Sequence, residues 1–445
     1  MRILMLGWEF PPFISGGLGT ACYGLTRAMS QLGAEITFVL PRDVAAGAAS
    51  HVRVTGPSAA LQSVRSRRAW LDESGWLRVR PVAAKAVSPY QRPEHRFDGT
   101  TGGQVWQSIT GEHGEQSQKL VPAEEFLRQV QGSDEHYGAD LFEQVHCYAR
   151  LVMLLAQTED FDVIHAHDWM TYPAGVAAAA VSGKPLVVHV HSTEFDRSGE
   201  HVNQRIYDIE RQGVHVADRV IAVSHLTRQI VESRYSVPSE KMSVVYNAID
   251  FKPGVEEPRV GIARDEKIVL FLGRITMQKG PEYFLTAAKK VLEVMDNVKF
   301  VMAGKGDMIR HIIEMAAAMG IGHKVLFTGF LRGDDVDRVF RMADLFVMPS
   351  VSEPFGLVPL EALRNDVPVI ISKQSGIAEV LNHALKVDFW DTNEMANKIV
   401  AVLRHPPLQA TLREHGHFEV RRLSWEEAAR QCCDVYEQVT MPVGV

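Results

Sequence analysis

Arg2-Ile-Leu-Met-Leu-Gly7 opens the chain, and Lys267-Ile-Val-Leu-Phe-Leu-Gly273 repeats its pattern past the midpoint. Each is a short continuous apolar run, which suits a parallel strand buried on both faces. A glycine-bearing loop and a helical pattern follow each one. After the first, Leu18, Cys22, Leu25, Met29 and Leu32 recur at helical spacing, and Glu35 to Leu40 returns as a strand, giving a βαβ start. Asp162 to Ala166, Pro185 to Val190 and Val220 to Val223 read as further strands, with helices at Ala174 to Val181 and Leu226 to Arg234. Behind the second opening come Val298 to Ala303, Val325 to Phe327, Leu345 to Met348 and Pro368 to Ile371. This alternation predicts an α/β protein of two doubly wound units.

Length agrees, because 445 residues exceed the size at which a single core stops growing. Asn247 to Asp265 carries Pro253, Gly254, Pro258 and Gly261 without a regular apolar period, so it reads as a hinge beside a cleft. The expected division is a Rossmann-like domain at 1–248, a second at 249–423, and a last helix at 424–445 packing back toward the first. Ser424 and Glu427 have capping-box spacing at its start, and Trp425, Ala428, Ala429, Cys432, Val435, Tyr436 and Val439 form its apolar face. Residues 44–145 are polar and loop-rich, with scattered Trp70, Trp76, Trp106 and Tyr137, and carry no legible chemistry.

Composition narrows the function. Hydrophobic residues at 46% and charged residues at 23% suit a globular enzyme. A net charge of −7 argues against nucleic acid or an anionic membrane as the main ligand, so an anionic substrate needs a local basic pocket. Cys22, Cys147, Cys432 and Cys433 form no CxxC pair, which predicts reduced thiols and a cytoplasmic protein. Glu9 interrupts the apolar opening and no small-residue cleavage site follows, so no signal peptide is expected. No apolar run reaches membrane-spanning length.

Four clusters carry the chemistry. Glu353-Pro-Phe-Gly-Leu-Val-Pro-Leu-Glu361 sets two carboxylates about a loop and a helix start, where free N–H groups suit a phosphate. Ile14-Ser-Gly-Gly-Leu-Gly19 lets backbone amides approach an anion. Gly16, Gly17 and Gly19 do not form GxGxxG, and Glu35 heads a strand instead of ending one, so a dinucleotide fingerprint is absent. In Gly273-Arg-Ile-Thr-Met-Gln-Lys-Gly280, Arg274 and Lys279 can reach one diphosphate, and Gly376 after a later strand can add amides to it.

His165-Ala-His-Asp-Trp169 and His189-Val-His-Ser-Thr193 end two successive strands. Alternate residues of a strand share a face, so each pair offers at most two metal ligands and a third must come from elsewhere. His165 and His189 read as buried, hydrogen-bonded structural histidines and no metal is assigned, while His191 and Asp168 lie nearest the strand ends and are the cleft candidates.

Taken in order, GGLG, HAHDW, HVH, NAID, GRITMQKG, FTGF and EPFGLVPLE resemble the retaining GT-B glycosyltransferases of families 4 and 5 over nearly all the chain except residues 44–145. Trp8-Glu-Phe-Pro-Pro12 and the HDW turn are similar to bacterial and archaeal glycogen synthases. Glu361 departs toward family 4, since family 5 glycogen synthases usually lack a carboxylate there.

The resemblance implies a GT-B fold, two Rossmann-like domains facing across a cleft. It implies that Gly16, Gly17, Arg274 and Lys279 bind the donor diphosphate and that Glu361 holds the ribose hydroxyls. Glu353 would sit by the transferred sugar, and His191 near its anomeric carbon and 6-hydroxyl. Asp168 would lie toward the acceptor. Asn247, Phe330, Phe355, Gly356, Leu357 and Gly376 would complete the donor shell. The implied substrates are ADP-glucose or UDP-glucose and an α-glucan or oligosaccharide, with no resident cofactor. Glucosyl or mannosyl transfer to a small acceptor is the alternative. A glycoside hydrolase using Asp168 and Glu353 would leave Arg274 and Lys279 idle. An epimerase would need no acceptor, and a carbohydrate-binding subunit would bind sugar without turnover.

Overall fold

The structure, a computed structural model, describes residues 1–11, 16–43, 51–59, 76–79, 119–122, 141–250 and 266–441, with backbone alone at 76–79 and 119–122. The strands are β1 (Arg2–Leu6), β2 (Glu35–Val39), β3 (Arg53–Thr55), β4 (Trp76–Val79), β5 (Lys119–Pro122), β6 (Val163–His167), β7 (Leu186–Val190), β8 (Arg219–Ala222), β9 (Met242–Val244), β10 (Lys267–Leu272), β11 (Val298–Ala303), β12 (Val325–Gly329), β13 (Leu345–Met348), β14 (Val369–Ser372) and β15 (Leu385–Val387). The helices are α1 (Gly17–Gln31), α2 (Leu141–Thr158), α3 (Tyr172–Ser182), α4 (Glu194–Ser198), α5 (Gln204–Val216), α6 (His225–Tyr235), α7 (Pro281–Leu292), α8 (Ile309–Ala318), α9 (Asp334–Met342), α10 (Leu357–Arg364), α11 (Thr392–Arg404), α12 (Pro406–Val420) and α13 (Trp425–Thr440).

Two large parallel sheets result. The first runs β3-β2-β1-β6-β7-β8-β9 and the second β12-β11-β10-β13-β14-β15, while β4 and β5 pair apart as an antiparallel ribbon. Each large sheet reverses direction beside its first strand, at β1/β6 and at β10/β13. Open α/β sheets bind ligands outside the carboxyl ends at that switch. Strand alternation builds the layers. Leu4 and Leu6 face one core with Tyr148 and Val152 of α2, and Ile3 and Met5 face another with Ala21 of α1 and Trp425 of α13. In the second sheet Val269 and Phe271 face one core and Ile268 and Leu270 the opposite one.

Ser424 caps α13 by accepting from the Glu427 amide, but the Glu427 carboxylate takes Gln431 at 2.9 Å, so the expected reciprocal bond is not made. Val439 is only partly buried, because the last turn runs off the first unit. The proposed hinge residues Pro253, Gly254, Pro258 and Gly261 lie outside the described residues, as do Ile14, Ser15, Trp70, Trp106 and Tyr137.

The two units meet through an apolar contact, in which Val223 is buried in one cluster with Phe355 and Ile377, and through a seam of polar bonds. Ser224 Oγ donates to the Pro354 carbonyl at 2.6 Å and Thr227 Oγ1 at 3.2 Å. Glu379 accepts from the His225 and Leu226 amides at the start of α6, 2.9 and 2.7 Å away, where the helix dipole favours an anion. A side chain on Gly376 would lie 2.3 Å from the Pro354 oxygen and 2.5 Å from Ser224, so the seam closes this far only over glycine.

Gly24, within α1, sets the seat of α13: a Cβ there would come within 2.2 Å of the Trp425 ring. Helix propensity alone favours Gly24→Ala by about 1 kcal/mol. We predict the opposite sign, a loss of about 1–3 kcal/mol from overpacking, read from the denaturant midpoint. A stabilised variant would show that α13 does not press on α1 at this point.

Candidate active site

Two uncapped helix starts define the cleft. Gly16, extended, precedes α1 without a side-chain cap or an acidic residue in the first turn. Gly356 precedes α10 in the same bare condition. A Cβ on Gly17 would lie 3.6 Å from Leu357 Cδ1, so these two ends face each other across the units. Their first amides and positive dipole ends are ready for an anion between them.

The loop after β10 supplies cations. Gly304 has φ 149°, and a Cβ there would sit 1.8 Å from the Gly273 carbonyl, so this loop lies directly on the loop after β11. The Ile275 amide donates to the Lys305 carbonyl at 2.9 Å, which brings a third cation beside Arg274 and Lys279. Lys305 and Arg274 are exposed, and Arg274 donates to Gln278 Oε1 at 3.2 Å. Lys279 Nζ stands 2.5 Å from Glu353 Oε2, which also accepts from Ser350 Oγ at 3.2 Å. Lys305 was not singled out from the sequence; Gly304-Lys305-Gly306 directly behind an apolar strand was the available signal.

Asp168 and His191 form the opposite wall. Asp168 takes φ 60°, a conformation non-glycine residues seldom adopt, and its Oδ1 accepts from the His191 amide at 2.7 Å and the Ser192 amide at 3.3 Å. Burial pushes its carboxyl up to about 7 against the pull of Arg197. Asp168 is buried and holds the loop that carries His191. His191 Nε2 lies 2.9 Å from His167 Nδ1, and burial lowers its imidazole to about 3, so it is neutral. Close by, Asp196 accepts from both the amide and the hydroxyl of Thr193 at the start of α4, and from Ser352 Oγ at 2.5 Å across the seam.

Other expected residues are placed differently. Phe355 is buried, with Tyr246 6.0 Å away between ring centres, so its ring belongs to the core. Gly376 donates its amide to the Glu353 carbonyl at 2.9 Å, so it fixes the Glu353 loop and has no amide left for an anion. Asn247 is buried, whereas Phe330 is exposed with the Arg332 guanidinium over its face at 5.2 Å. His165 bonds Tyr436 through Nδ1 as expected of a structural histidine. His189 is buried with neither ring nitrogen bonded, which corrects its reading as a hydrogen-bonded residue.

The comparisons fit this geometry. Residues 255–417 match the family described as glycosyl transferases group 1, and residues 122–252 match glycosyltransferase family 4. The chain belongs to the GT-B glycosyltransferases of the family 4/5 type. An uncharacterized glycosyltransferase of Methanocaldococcus jannaschii is 28% identical over 455 residues, 98% of this chain and 98% of the relative. A glycogen synthase of Mycobacterium tuberculosis is 25% identical over 450 residues, 98% of this chain and 94% of the relative. Sucrose-phosphate synthase from Thermosynechococcus elongatus covers 98% of both chains with a TM-score of 0.68 at 19% identity, a likeness of fold alone. Among the described residues no helix of this transferase is long and apolar enough to cross a membrane.

Glu361, on α10, offers a pH test. Burial raises its carboxyl from the ordinary 4.5 to about 7, with Arg364 opposing and Asp337 adding. A carboxyl raised on folding stabilises fully below its unfolded pKa and loses that contribution as pH climbs to the folded value. We predict that Glu361→Gln gains melting temperature over the parent between about pH 5 and about pH 8 and that the gap then levels. A gap independent of pH would show that Glu361 is not held in a desolvated place.

Proposed function

We propose that this transferase moves glucose from a nucleoside-diphosphate glucose, ADP- or UDP-glucose, to the non-reducing end of an α-1,4-glucan, with retention of configuration. The observation that carries the reading is the pair of bare helix starts facing each other beside Arg274, Lys279 and Lys305. That arrangement suits a diphosphate whose negative charge grows as it leaves. The full-length match to a glycogen synthase supports the choice of glucan. Four cysteines free of disulfides support a cytoplasmic setting.

In this scheme the Gly17 amide and the α10 start take the diphosphate, and Lys279 turns from Glu353 onto a phosphoryl oxygen. Arg274 reaches the same group from its exposed side. Glu361 accepts from the ribose hydroxyls, with Phe330, Gly356, Leu357 and Asn247 around the nucleotide. Glu353, freed from Lys279, accepts from sugar hydroxyls, and His191 faces the ring from the other unit. The bond from the anomeric carbon to the phosphate oxygen breaks. The acceptor oxygen bonds that carbon from the same face and passes its proton to the departing phosphate. Configuration is kept without a protein nucleophile. Closure of the seam excludes water that would otherwise hydrolyse the donor.

The test is release of nucleoside diphosphate from ADP-glucose, UDP-glucose and GDP-mannose, with and without a malto-oligosaccharide, using Glu353→Ala as the blank. Release from a glucose donor that depends on the glucan, together with lengthened chains, is expected. Turnover only with a small acceptor would replace the glucan. Lys279→Ala is predicted to lower kcat by about 10²-fold or more, by analogy with removing one oxyanion donor. A near-parental rate would remove Lys279 from the mechanism.

A further inference from the structure

The HxH pairs of β6 and β7 leave four buried ring nitrogens without a partner: His165 Nε2, His167 Nε2 and both nitrogens of His189. A buried unbonded polar atom is costly and rare, so several gathered in one place need an explanation. Register brings them together. His167 and His189 are direct neighbours across the β6/β7 ladder, and His165 stands two residues back on the same face as His167. The sequence offered two ligands per strand and no third; parallel pairing supplies the third. One nitrogen from each of His165, His167 and His189 lies within 4.8 Å of the others.

We propose that His165, His167 and His189 hold a transition-metal ion of the class imidazole favours, zinc or copper. Two of the three rings already carry the outer bond a metal site uses, and only His189 lacks one. A ligating histidine uses its second nitrogen to bond an outer partner, which fixes the ring. His165 Nδ1 bonds the Tyr436 hydroxyl of α13, and His167 Nδ1 bonds His191 Nε2 at 2.9 Å, so both rings are held by Nδ1 with Nε2 left over. His189 contributes either nitrogen. Small ring rotations bring three such atoms to the ~2.0–2.1 Å of a zinc–imidazole bond, with a fourth position open, the three-histidine set that carbonic anhydrase uses.

The site acts on His191 through one bond. A metal on Nε2 of His167 leaves Nδ1 as N–H, which then donates to His191 Nε2. His191 must carry its own proton on Nδ1, so a donor and not an acceptor is offered toward the cleft. This inference stands apart from the sugar chemistry, since it rests on nitrogens below the reacting centre and is read by metal content.

The experiment uses full-length protein without a histidine tag, dialysed and analysed for metals by mass spectrometry, then titrated with Co2+ as an optical probe. We expect about one ion per chain, visible cobalt d–d bands, and a rise in melting temperature with metal. His189→Leu should lose the ion, whereas His191→Leu should keep it. Absence of bound metal together with no cobalt spectrum in the parent protein overturns the proposal, and so does a folded His189→Leu with undiminished metal. If His189→Leu fails to fold, the parent cobalt titration decides.

Discussion

The Pro354 carbonyl, held by the hydroxyls of Ser224 and Thr227, is the contact on which the cleft depends. It sits one residue from Glu353, so the same turn that binds the first unit also presents the carboxylate that faces Lys279. Gly376 makes the approach possible and then ties the loop with its amide. Glu379, three residues on, anchors the same segment to the start of α6. The Glu353 turn and the segment after Gly376 are thereby referred to the first unit by bonds a few residues away. Such bonds exchange easily with water, whereas Val223, buried among Phe355 and Ile377, adds apolar burial that opening must expose.

Charge in the cleft is positive, since Arg274 and Lys305 stand exposed at its edge. Lys279 and Glu353 neutralise each other, and Asp168 is raised toward neutrality by burial. The Gly16 and Gly356 helix starts add their backbone dipoles to Arg274 and Lys305. A diphosphate therefore meets dipoles that need no rearrangement and one lysine that must change partners, so binding and release of Glu353 are coupled.

Much of this was legible because parallel strands buried on both faces are continuous apolar runs; Val298–Ala303 and Leu345–Met348 were read to the residue. The three-residue strands β3, β9 and β15 were missed, since so short a run carries no period. Helix α2 escaped notice beside the polar segment that precedes it, although Val145, Leu151 and Leu155 are buried. In the candidate site the sequence named side chains but could not show their bonding. Whether Gly376 gives its amide to a ligand or to Glu353, and whether Asp168 faces the cleft or the amides beneath His191, depends on loop geometry that a single sequence does not display. The exposed Lys305 and the bond from Ser352 to Asp196 arise from contacts between distant segments, and spacing alone could not pair them.

Helix α13 adds a constraint of a different kind. Trp425 and Tyr436 complete the core against Ile3, Met5 and Met29, so one face of the first sheet is closed by residues made some four hundred positions later. During synthesis on the ribosome that face emerges early and has only α1 to cover it while the whole second unit is translated. That core is therefore complete only once the last helix of the described chain has been made.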